Sequence, residues 1–431
     1  MRILHLADIH IGVENYGRPA TEADLDAMPT YFAPGIDHKR TYLGLSTRLL
    51  DFLVALDEAV EYATLNQVDL VLFAGDAYKS RDPSQTHQRE FARRVVTLVN
   101  RGIPVFLLTG NHDIAHSLGR ATALEIFPTL GVPQVHVAER METFKVETRS
   151  GPLQIVALPW IRRGALLQRD EHRGATIEQI ARYVEADLTE RILAEAQTLD
   201  PAIPAILAAH VTVAGAVTSS ERSMMLGRDY SLQRSSVGLP AFDYVALGHI
   251  HKHQQLGDHP PVVYPGSLQR VDFSEENDTK GFCLVDIEIE APVGERTRWQ
   301  HIPIKARSFL TINVKVPDDN EDPTSFVVHE VKSRHVKDAI VRVHITISST
   351  LTSRINEKLI REALSEAHSI AAVSREVTHD KMPRLGASAK GMTPQKALHW
   401  YLDSRNDLDE ETTEQALSWG TELVTEEMAK E

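Results

Sequence analysis

Five short apolar runs in this chain each end in side chains that can bind a metal ion. The runs ILHLA, VDLVLFA, IPVFLLT, AILAA and YVALG are aliphatic and bounded by polar residues or glycine, which is typical of buried strands. Ligands of open α/β sheets bind outside the carboxyl ends of strands, and strand ends along one sheet edge lie close together. We therefore expect the side chains that follow these runs to converge on one site. They are, in chain order, Asp8, His10, Asp76, Asn111, His112, Asp113, His210, His249 and His251.

The kinds of side chain in this set indicate which ions it would bind. Carboxylates suit hard divalent cations, and imidazoles suit transition metals. A mixed set of aspartate, histidine and asparagine without cysteine therefore predicts manganese, iron or zinc, and not calcium or a structural zinc. Asp8 and His10 are separated by one residue, as are His249 and His251, so each pair shares one face of an extended strand. Two ions roughly 3.5–4 Å apart would clamp a phosphate and activate water for in-line attack.

The order of these motifs resembles that of the calcineurin-like metallophosphoesterases. Asp-x-His, Gly-Asp, Gly-Asn-His-Asp, a lone His and Gly-His-x-His are all present in the order of that family. Within the family, the opening MRILHLADIHIG and the later YPGSLQRVDFSE (Tyr264 to Glu275) resemble the SbcD proteins, the bacterial counterparts of Mre-type double-strand-break repair nucleases. The resemblance is strong over 1–285 and weak beyond, and segment 13–40 is longer than is usual in the family.

The resemblance implies a role for each residue of the motifs, and it implies two divalent metal ions, for which we expect manganese. His112 would face the substrate as general acid, and Asp113 would orient His112, as supporting carboxylates commonly do. The implied metal ligands are Asp8, His10 and His251 for the first ion, Asn111, His210 and His249 for the second, and Asp76 as the bridge between them.

The resemblance also implies a substrate and a partner. The implied activity is that of a 3′ to 5′ exonuclease on double-stranded DNA ends and an endonuclease on hairpins or single strands, in DNA repair, recombination and replication. An SbcC-type ATPase would supply ATP dependence, because this chain contains no G-x-x-x-x-G-K-[ST] loop. One alternative is another calcineurin-like phosphodiesterase that acts on nucleotides or phosphoproteins. A non-catalytic scaffold is the other, and the loss of a ligand would mark it; none is lost.

We expect an α/β fold, which the resemblance makes a two-sheet sandwich flanked by helices, with a small α/β capping domain and a C-terminal helical segment. Apolar residues at helical spacing predict helices at 45–67 and 86–102, which pack on the sheet; the resemblance implies that a homodimer forms through this part of the domain. A strand, helix, strand, helix, strand pattern follows over 309–379. The expected regions are a nuclease domain at 1–285, a capping domain for DNA substrate selection at 286–380, a linker at 381–391 and a helical segment at 392–431.

The segment 392–431 contains two short helical patterns with more apolar side chains than so short a pair can bury. Aromatic anchors on an amphipathic helix are typical of a docking peptide. The alternative is a helical hairpin folded back on the body of the protein. The resemblance implies that this segment binds the ATPase partner. The candidate contact residues are Leu398, Trp400, Tyr401, Leu402, Leu417, Trp419 and Leu423.

The net charge of −14 is unusual for a protein that binds DNA, but the segment 392–431 alone carries −7 of it. Arg81, Arg270, Tyr264 and Ser267 are candidates to contact DNA, and Arg222 and Arg228 are further basic residues that could contact phosphates. Binding by this chain alone is expected to be weak and sensitive to salt.

The chain has one cysteine, Cys283, which fits a reducing cytoplasm. It has no stretch of the length needed to span a membrane and no signal peptide at its amino terminus. We therefore expect a cytoplasmic protein associated with the nucleoid.

Overall fold

The structure is a computed structural model that describes residues 1–32, 40–115, 117, 119–161, 176–219, 230–292, 294–378, 393–403, 405 and 409–428. Arg222, Arg228 and the expected linker 381–391 lie outside the described residues. The chain divides into two compact units. The first contains Met1–Thr311, His335–Arg342 and Leu364–Ala372, and the second contains Ile312–Arg334, Val343–Ala363 and Val373–Glu431.

A sheet of the first unit contains the first three apolar runs as adjacent parallel strands. Its strands are β1 (Arg2–Leu6), β2 (Leu70–Phe73), β3 (Val105–Leu108), β4 (Val135–Ala138), β13 (Gly281–Ile287) and β14 (Thr297–Pro303). The order across the sheet is β14-β13-β1-β2-β3-β4, and β13 runs antiparallel to both of its neighbours. This order places the carboxyl ends of β1, β2 and β3 side by side.

A second sheet contains the other two apolar runs, which are the adjacent parallel strands β7 (Ala205–His210) and β10 (Tyr244–Gly248). Its remaining strands are β5 (Glu142–Thr148), β6 (Gly151–Leu158), β11 (Gln254–Asp258) and β12 (Pro261–Tyr264). The order is β11-β12-β10-β7-β6-β5. The expectation that all five strand ends lie along one sheet edge is therefore wrong. A short parallel pair forms between β8 (Thr212–Val213) and β9 (Ser231–Leu232).

Alternate side chains of the strands face opposite sides of each sheet, as the pleat requires. Ile3, Leu72 and Phe106 of the first sheet join Ile206 and Ala246 of the second in one buried cluster between the sheets. On the opposite face of the first sheet, side chains of β1 to β3 form a separate core with two helices, α2 (Thr47–Leu65) and α3 (Gln85–Asn100). The outer face of the second sheet is covered by α5 (Ile177–Thr198). The predicted two-sheet sandwich flanked by helices is confirmed.

The helix boundaries follow from capping side chains. The hydroxyl of Ser84 accepts a hydrogen bond from the amide of His87 and starts α3. Thr176 and Gln179 form a capping box at the start of α5. The helices predicted at 45–67 and 86–102 are present as α2 and α3: α2 is two residues shorter at each end, and α3 begins one residue earlier and ends two residues earlier than predicted. Among the described residues, this unit also contains the short α-helices α1 (Glu22–Asp26), α4 (Ile126–Thr129) and α6 (Arg234–Val237).

The strand and helix pattern predicted over 309–379 is present in the expected order. The elements are β15 (Phe309–Lys315), α7 (Pro323–Lys332), β16 (Ile340–Ser348), α8 (Glu357–Ala363) and β17 (Ser369–Thr378). The strands form a sheet in the order β15-β16-β17. The second helix of this pattern, α8, begins directly after Asn356, whose side chain accepts a hydrogen bond from the amide of Lys358.

Two helices of the second unit, α9 (Pro394–Asp403) and α10 (Glu410–Met428), contact each other. The Leu398 side chain lies directly against Gly420, where a Cβ atom would collide with it. Among the helices of the described residues, none combines the length with the apolar composition that crossing a bilayer demands.

Candidate metal centre

The predicted ligands converge where the strand ends of the two sheets meet. In three groups, the candidate ligand atoms all lie within 4.8 Å of one another. Because His10 and Asp76 each belong to two of the groups, the groups form one continuous site. The groups are Asp8, His10 and His251; His10, Asp76 and His112; and Asp76, His210 and His249.

One half of the site contains Asp8, His10 and His251, which are all buried. The Nε2 atoms of His10 and His251 lie 2.8 Å apart. The backbone amide of His249 donates to both carboxylate oxygens of Asp8 at 3.0 Å. His10 Nε2 is also 3.8 Å from a carboxylate oxygen of Asp76. Nitrogen and oxygen donors that crowd together without solvent fit a shared cation, which removes the repulsion between their lone pairs.

The other half contains Asn111, His210 and His249. Asn111 Oδ1 lies 3.0 Å from His210 Nε2 and 3.0 Å from His249 Nδ1. His210 Nε2 is 3.3 Å from Asp76, so Asp76 reaches both halves of the site. The Nδ1 atom of His210 donates to the Ala74 carbonyl at 2.8 Å, which directs Nε2 toward the site. The residues of both halves therefore fit divalent ions, and Asp76 lies between the two halves.

The backbone at the site adopts conformations that side chains other than glycine rarely occupy. The φ angles of Asp8, His10, Asp76 and His249 are 53°, 50°, 54° and 97°. Strained residues of this kind persist where the surrounding structure holds them and are concentrated at functional sites. At Gly110, a Cβ atom would collide with the Asp76 carboxylate, so glycine is needed where the next strand end approaches.

Burial and mutual interaction shift the pKa values of these groups. Burial raises the pKa of Asp8 to about 7. Burial also raises the pKa of Asp76, but His210 and His112 outweigh it and lower that pKa well below its ordinary range. Burial lowers the pKa of His210, whereas the carboxylates of Asp76 and Asp8 overcome this effect and raise it to about 9. These shifts mean that protons compete with a cation for the same donor atoms.

His112 lies beside the ligands but is only half-buried. Its ring meets the His10 ring edge-on, with centroids 5.0 Å apart. Its Nδ1 atom donates to the Lys79 carbonyl at 2.7 Å, and its backbone amide donates to Asp76 at 2.8 Å. The position is that of a side chain that a substrate can reach.

Asp113 does not orient His112, contrary to the expectation from the resemblance. Its buried carboxylate accepts hydrogen bonds from the backbone amides of Gly110, Ala77 and Tyr78 at 3.0, 3.3 and 3.2 Å. The acceptor for the His112 ring is instead the carbonyl of Lys79. Asp113 therefore holds two strand-end loops together. Burial, and then the charge of Asp76, raises the pKa of Asp113 to about 6.

Three of the candidate DNA contacts have structural roles instead. Tyr264 and Ser267 are fully buried, so neither side chain can reach DNA in this structure. The Tyr264 hydroxyl donates to the Val211 carbonyl at 2.6 Å. The Arg270 guanidinium donates to backbone carbonyls in its own loop and to that of Arg307. Arg81 is partly exposed and its Nε donates to the Asn111 carbonyl at 3.3 Å, so it remains beside the site.

An aromatic wall of the site was not predicted from the sequence. Trp160 stacks on Tyr230 with centroids 5.4 Å apart and lies against the His249 ring at 5.0 Å. Trp160 follows the end of β6, the neighbour of β7, so the rule that located the ligands would also have located Trp160. The sequence also did not predict that Glu275 and Lys280 belong to the site, although both are buried beside His251.

The candidate partner-binding residues differ in exposure. Leu398 and Leu417 are half-buried. Leu402 is 6% exposed, which corrects its assignment as a contact residue, since a partner cannot reach it. Among the side chains that the structure describes on α9 and α10, the exposed large hydrophobic ones are Trp400, Tyr401, Trp419 and Leu423.

Comparisons with known proteins agree with this geometry. A model of the calcineurin-like phosphoesterase family matches residues 1–253. The SbcD component of the SbcCD nuclease of Rhodobacter capsulatus is 30% identical over 307 residues, which are 67% of this chain and 66% of that protein. The SbcD proteins of Staphylococcus epidermidis and Escherichia coli are 26% and 27% identical, over 75% and 66% of this chain. The matches span 74% and 64% of those two proteins, so this chain spans less than two thirds of some of these relatives.

Proposed function

This chain belongs to the calcineurin-like phosphoesterase family, and from that premise we propose that it is a DNA nuclease with two divalent ions. The observation that carries the proposal is the convergence of six buried or half-buried candidate ligands around Asp76 at the meeting of two sheets. We propose Asp8, His10 and His251 for the first ion and Asn111, His210 and His249 for the second. Asp76 is the proposed bridge, and manganese is the proposed ion.

The bound ions supply positive charge for the phosphate oxygens and activate water. The chain's own residues provide the remaining chemistry. His112 carries a proton toward the oxygen that leaves the phosphorus, because its ring is accessible and adjoins the site. The Lys79 carbonyl accepts from Nδ1, so Nε2 is the ring atom that can carry a proton toward the substrate. Asp113 holds the loops that position Asp76 and His112.

DNA is the proposed substrate because several relatives are named as components of the SbcCD nuclease. The proposed activities are 3′ to 5′ digestion of double-stranded ends and cleavage of hairpins or single strands. The second unit supports this proposal, since cleavage of a small phosphodiester requires no additional α/β module or helical segment. We propose that residues 286–380 help to select DNA substrates. Arg81, partly exposed next to Asn111, is the proposed contact to the DNA backbone.

We further propose that the segment 392–431 binds an SbcC-type ATPase. The supporting observation is the exposure of Trp419 and Leu423, at 67% and 66%, on the same helix. Large apolar side chains at four-residue spacing on a helix are suitable anchors for a hydrophobic groove. A homodimer formed through α2 and α3 and a cytoplasmic location at the nucleoid complete the proposal.

A comparison of substrates tests the proposal. The purified chain is incubated with manganese and, in parallel, with end-labelled linear duplex DNA, a DNA hairpin, a cyclic nucleotide and a phosphoprotein. The same reactions are repeated with an SbcC-type ATPase and ATP. Cleavage of DNA above the other substrates, alone or with the ATPase, is the expected result. Cleavage of a nucleotide or the phosphoprotein with intact DNA in both series would contradict the nuclease proposal.

A further inference from the structure

Two charged side chains that the proposed chemistry does not use are fully buried beside the first ion's ligands. Glu275 belongs to a short turn, Phe273–Glu275, and Lys280 immediately precedes β13. The side chains of both are 0% exposed. Burial of two charges is costly, and it is tolerated only where the pair and its neighbours satisfy each other. The contacts of this pair therefore indicate what it supports.

The contacts of Glu275 lead directly to His251. Glu275 Oε1 lies 2.8 Å from His251 Nδ1, on the side of the ring opposite Nε2. Glu275 Oε2 is 2.6 Å from Lys280 Nζ and also accepts from the amide of Val271 at 3.1 Å. The two carboxylate oxygens therefore have different partners. One faces the imidazole, and the other faces a cation and a backbone amide.

Lys280 contacts both the Glu275 carboxylate and the backbone of His251. Its ammonium group donates to the backbone carbonyl of His251 at 3.1 Å and to the Ser267 hydroxyl at 2.9 Å. The same group therefore holds both the carboxylate that contacts the His251 ring and the backbone that carries the ring. Ser267, a former candidate for DNA contact, is a member of this support.

We propose that Glu275, held by Lys280, is the positioning residue of His251. Its carboxylate accepts a hydrogen bond from Nδ1–H, which fixes the tautomer and the ring orientation so that Nε2 presents its lone pair to the first ion. His210 has the neutral counterpart, since its Nδ1 donates to the Ala74 carbonyl. A carboxylate behind an imidazole ligand also increases its basicity. The inference rests on the proposed two-metal function.

The substitution Glu275→Gln distinguishes this positioning role from a merely structural one. The single side-chain oxygen of glutamine cannot face both the His251 Nδ1 proton and the donors on the other side, Lys280 and the Val271 amide. Because Lys280 is charged, the oxygen faces Lys280 and the amide nitrogen faces the imidazole. The His251 proton then moves to Nε2, where it blocks binding of the ion.

The experiment measures manganese binding to the full chain by calorimetry and by the electron paramagnetic resonance of free manganese. Wild type is expected to bind two ions. Glu275→Gln is expected to weaken one of the two affinities by about 10–100-fold and to leave the other within a factor of a few. The matched control is Glu276→Gln, since the neighbouring Glu276 carboxylate accepts from the amide and hydroxyl of Thr311 and not from a ligand. Its two affinities are expected to match wild type.

Melting temperatures without manganese separate positioning from folding. Glu275→Asp retains the negative charge beside Lys280. It is the second test variant, and it replaces Glu275→Gln if that variant does not fold. Two unchanged affinities in either folded variant would overturn the inference. The inference would also be overturned if both variants bound both ions with equally reduced affinity and melted at a lower temperature. A residue with a purely structural role would produce that result. Fewer than two ions on the wild-type protein would overturn the two-metal proposal itself.

Discussion

The Nε2 atoms of His10 and His251 lie 2.8 Å apart, although 241 positions separate the two residues in the chain. His10 follows the first strand of one sheet, and His251 follows a strand of the other. The site therefore exists only when both sheets have formed and packed together. A single ion can bind both imidazoles, and this links metal binding to the assembly of the sandwich.

We expect His112→Ser to leave both ions bound while reducing turnover by about 100-fold to 10,000-fold, the usual contribution of a general acid. His112 is half-buried, and its ring contacts Lys79 and His10 rather than completing the core. The measurement is single-turnover cleavage together with manganese stoichiometry. His329→Ser, an exposed histidine on α7, is the control. Loss of a bound ion in the His112 variant would instead identify His112 as a ligand.

Manganese binding is expected to release protons at pH 7. The pKa of His210, about 9, leaves its ring protonated at that pH, and the pKa of Asp8, about 7, leaves its carboxyl half protonated. Both groups must lose their protons to bind an ion, so affinity rises as pH increases from 6 to 8. Calorimetry in two buffers with different ionisation enthalpies measures the protons released. Identical binding heats in the two buffers would contradict these protonation states.

The free energy of unfolding is expected to decrease as the pH falls, because His5 binds a proton more readily in the unfolded chain than in the folded protein. Its ring is buried between the Tyr244 hydroxyl and the Leu247 carbonyl, and burial lowers its pKa to about 3. The unfolded chain, with a histidine pKa of about 6.5, therefore binds more protons than the native state between these two values. The free energy of unfolding should rise with pH across that window, by up to about 1.4 kcal/mol per pH unit from this residue.

Urea denaturation at several pH values, compared with His5→Gln, measures this contribution. Glutamine remains neutral and can still donate and accept hydrogen bonds. The variant is expected to show a smaller slope of stability against pH. Equal slopes for the two proteins would mean that His5 does not contribute.

The strands, the helices and the ligands could be predicted from the sequence, because each is a local signal. The run YVALG followed by GHIH contains both the strand and its ligands. The division of strands between two sheets could not be read locally, since β7 and β10 have the same apolar pattern as β1 to β3. The hydrogen-bond partners of Asp113 could not be predicted from the sequence either, because they are backbone amides, which every residue except proline carries. Glu275 and Lys280 required the fold to bring them to His251.

We expect the paired substitution Trp419→Ser and Leu423→Ser to abolish binding of an SbcC-type ATPase while leaving cleavage of short DNA unchanged. Both side chains are more than half exposed, so their removal costs the folded chain little apolar burial. Pull-down with the purified ATPase measures binding. Leu359→Ser, an exposed leucine on α8, is the control for lost apolar surface. Undiminished pull-down by the paired variant would show that these two side chains are not the anchors.

The most direct test of the proposed two-metal nuclease activity is digestion of end-labelled linear duplex DNA with manganese. Wild type and Asp76→Ala are compared, each with and without an SbcC-type ATPase and ATP. Asp76 reaches ligands of both proposed ions, so its loss should remove manganese-dependent shortening of the DNA completely. Asp82→Ala, an exposed aspartate on the loop after the same strand, should digest DNA at the wild-type rate. Digestion by Asp76→Ala at the wild-type rate would contradict the assignment of this site as the nuclease centre.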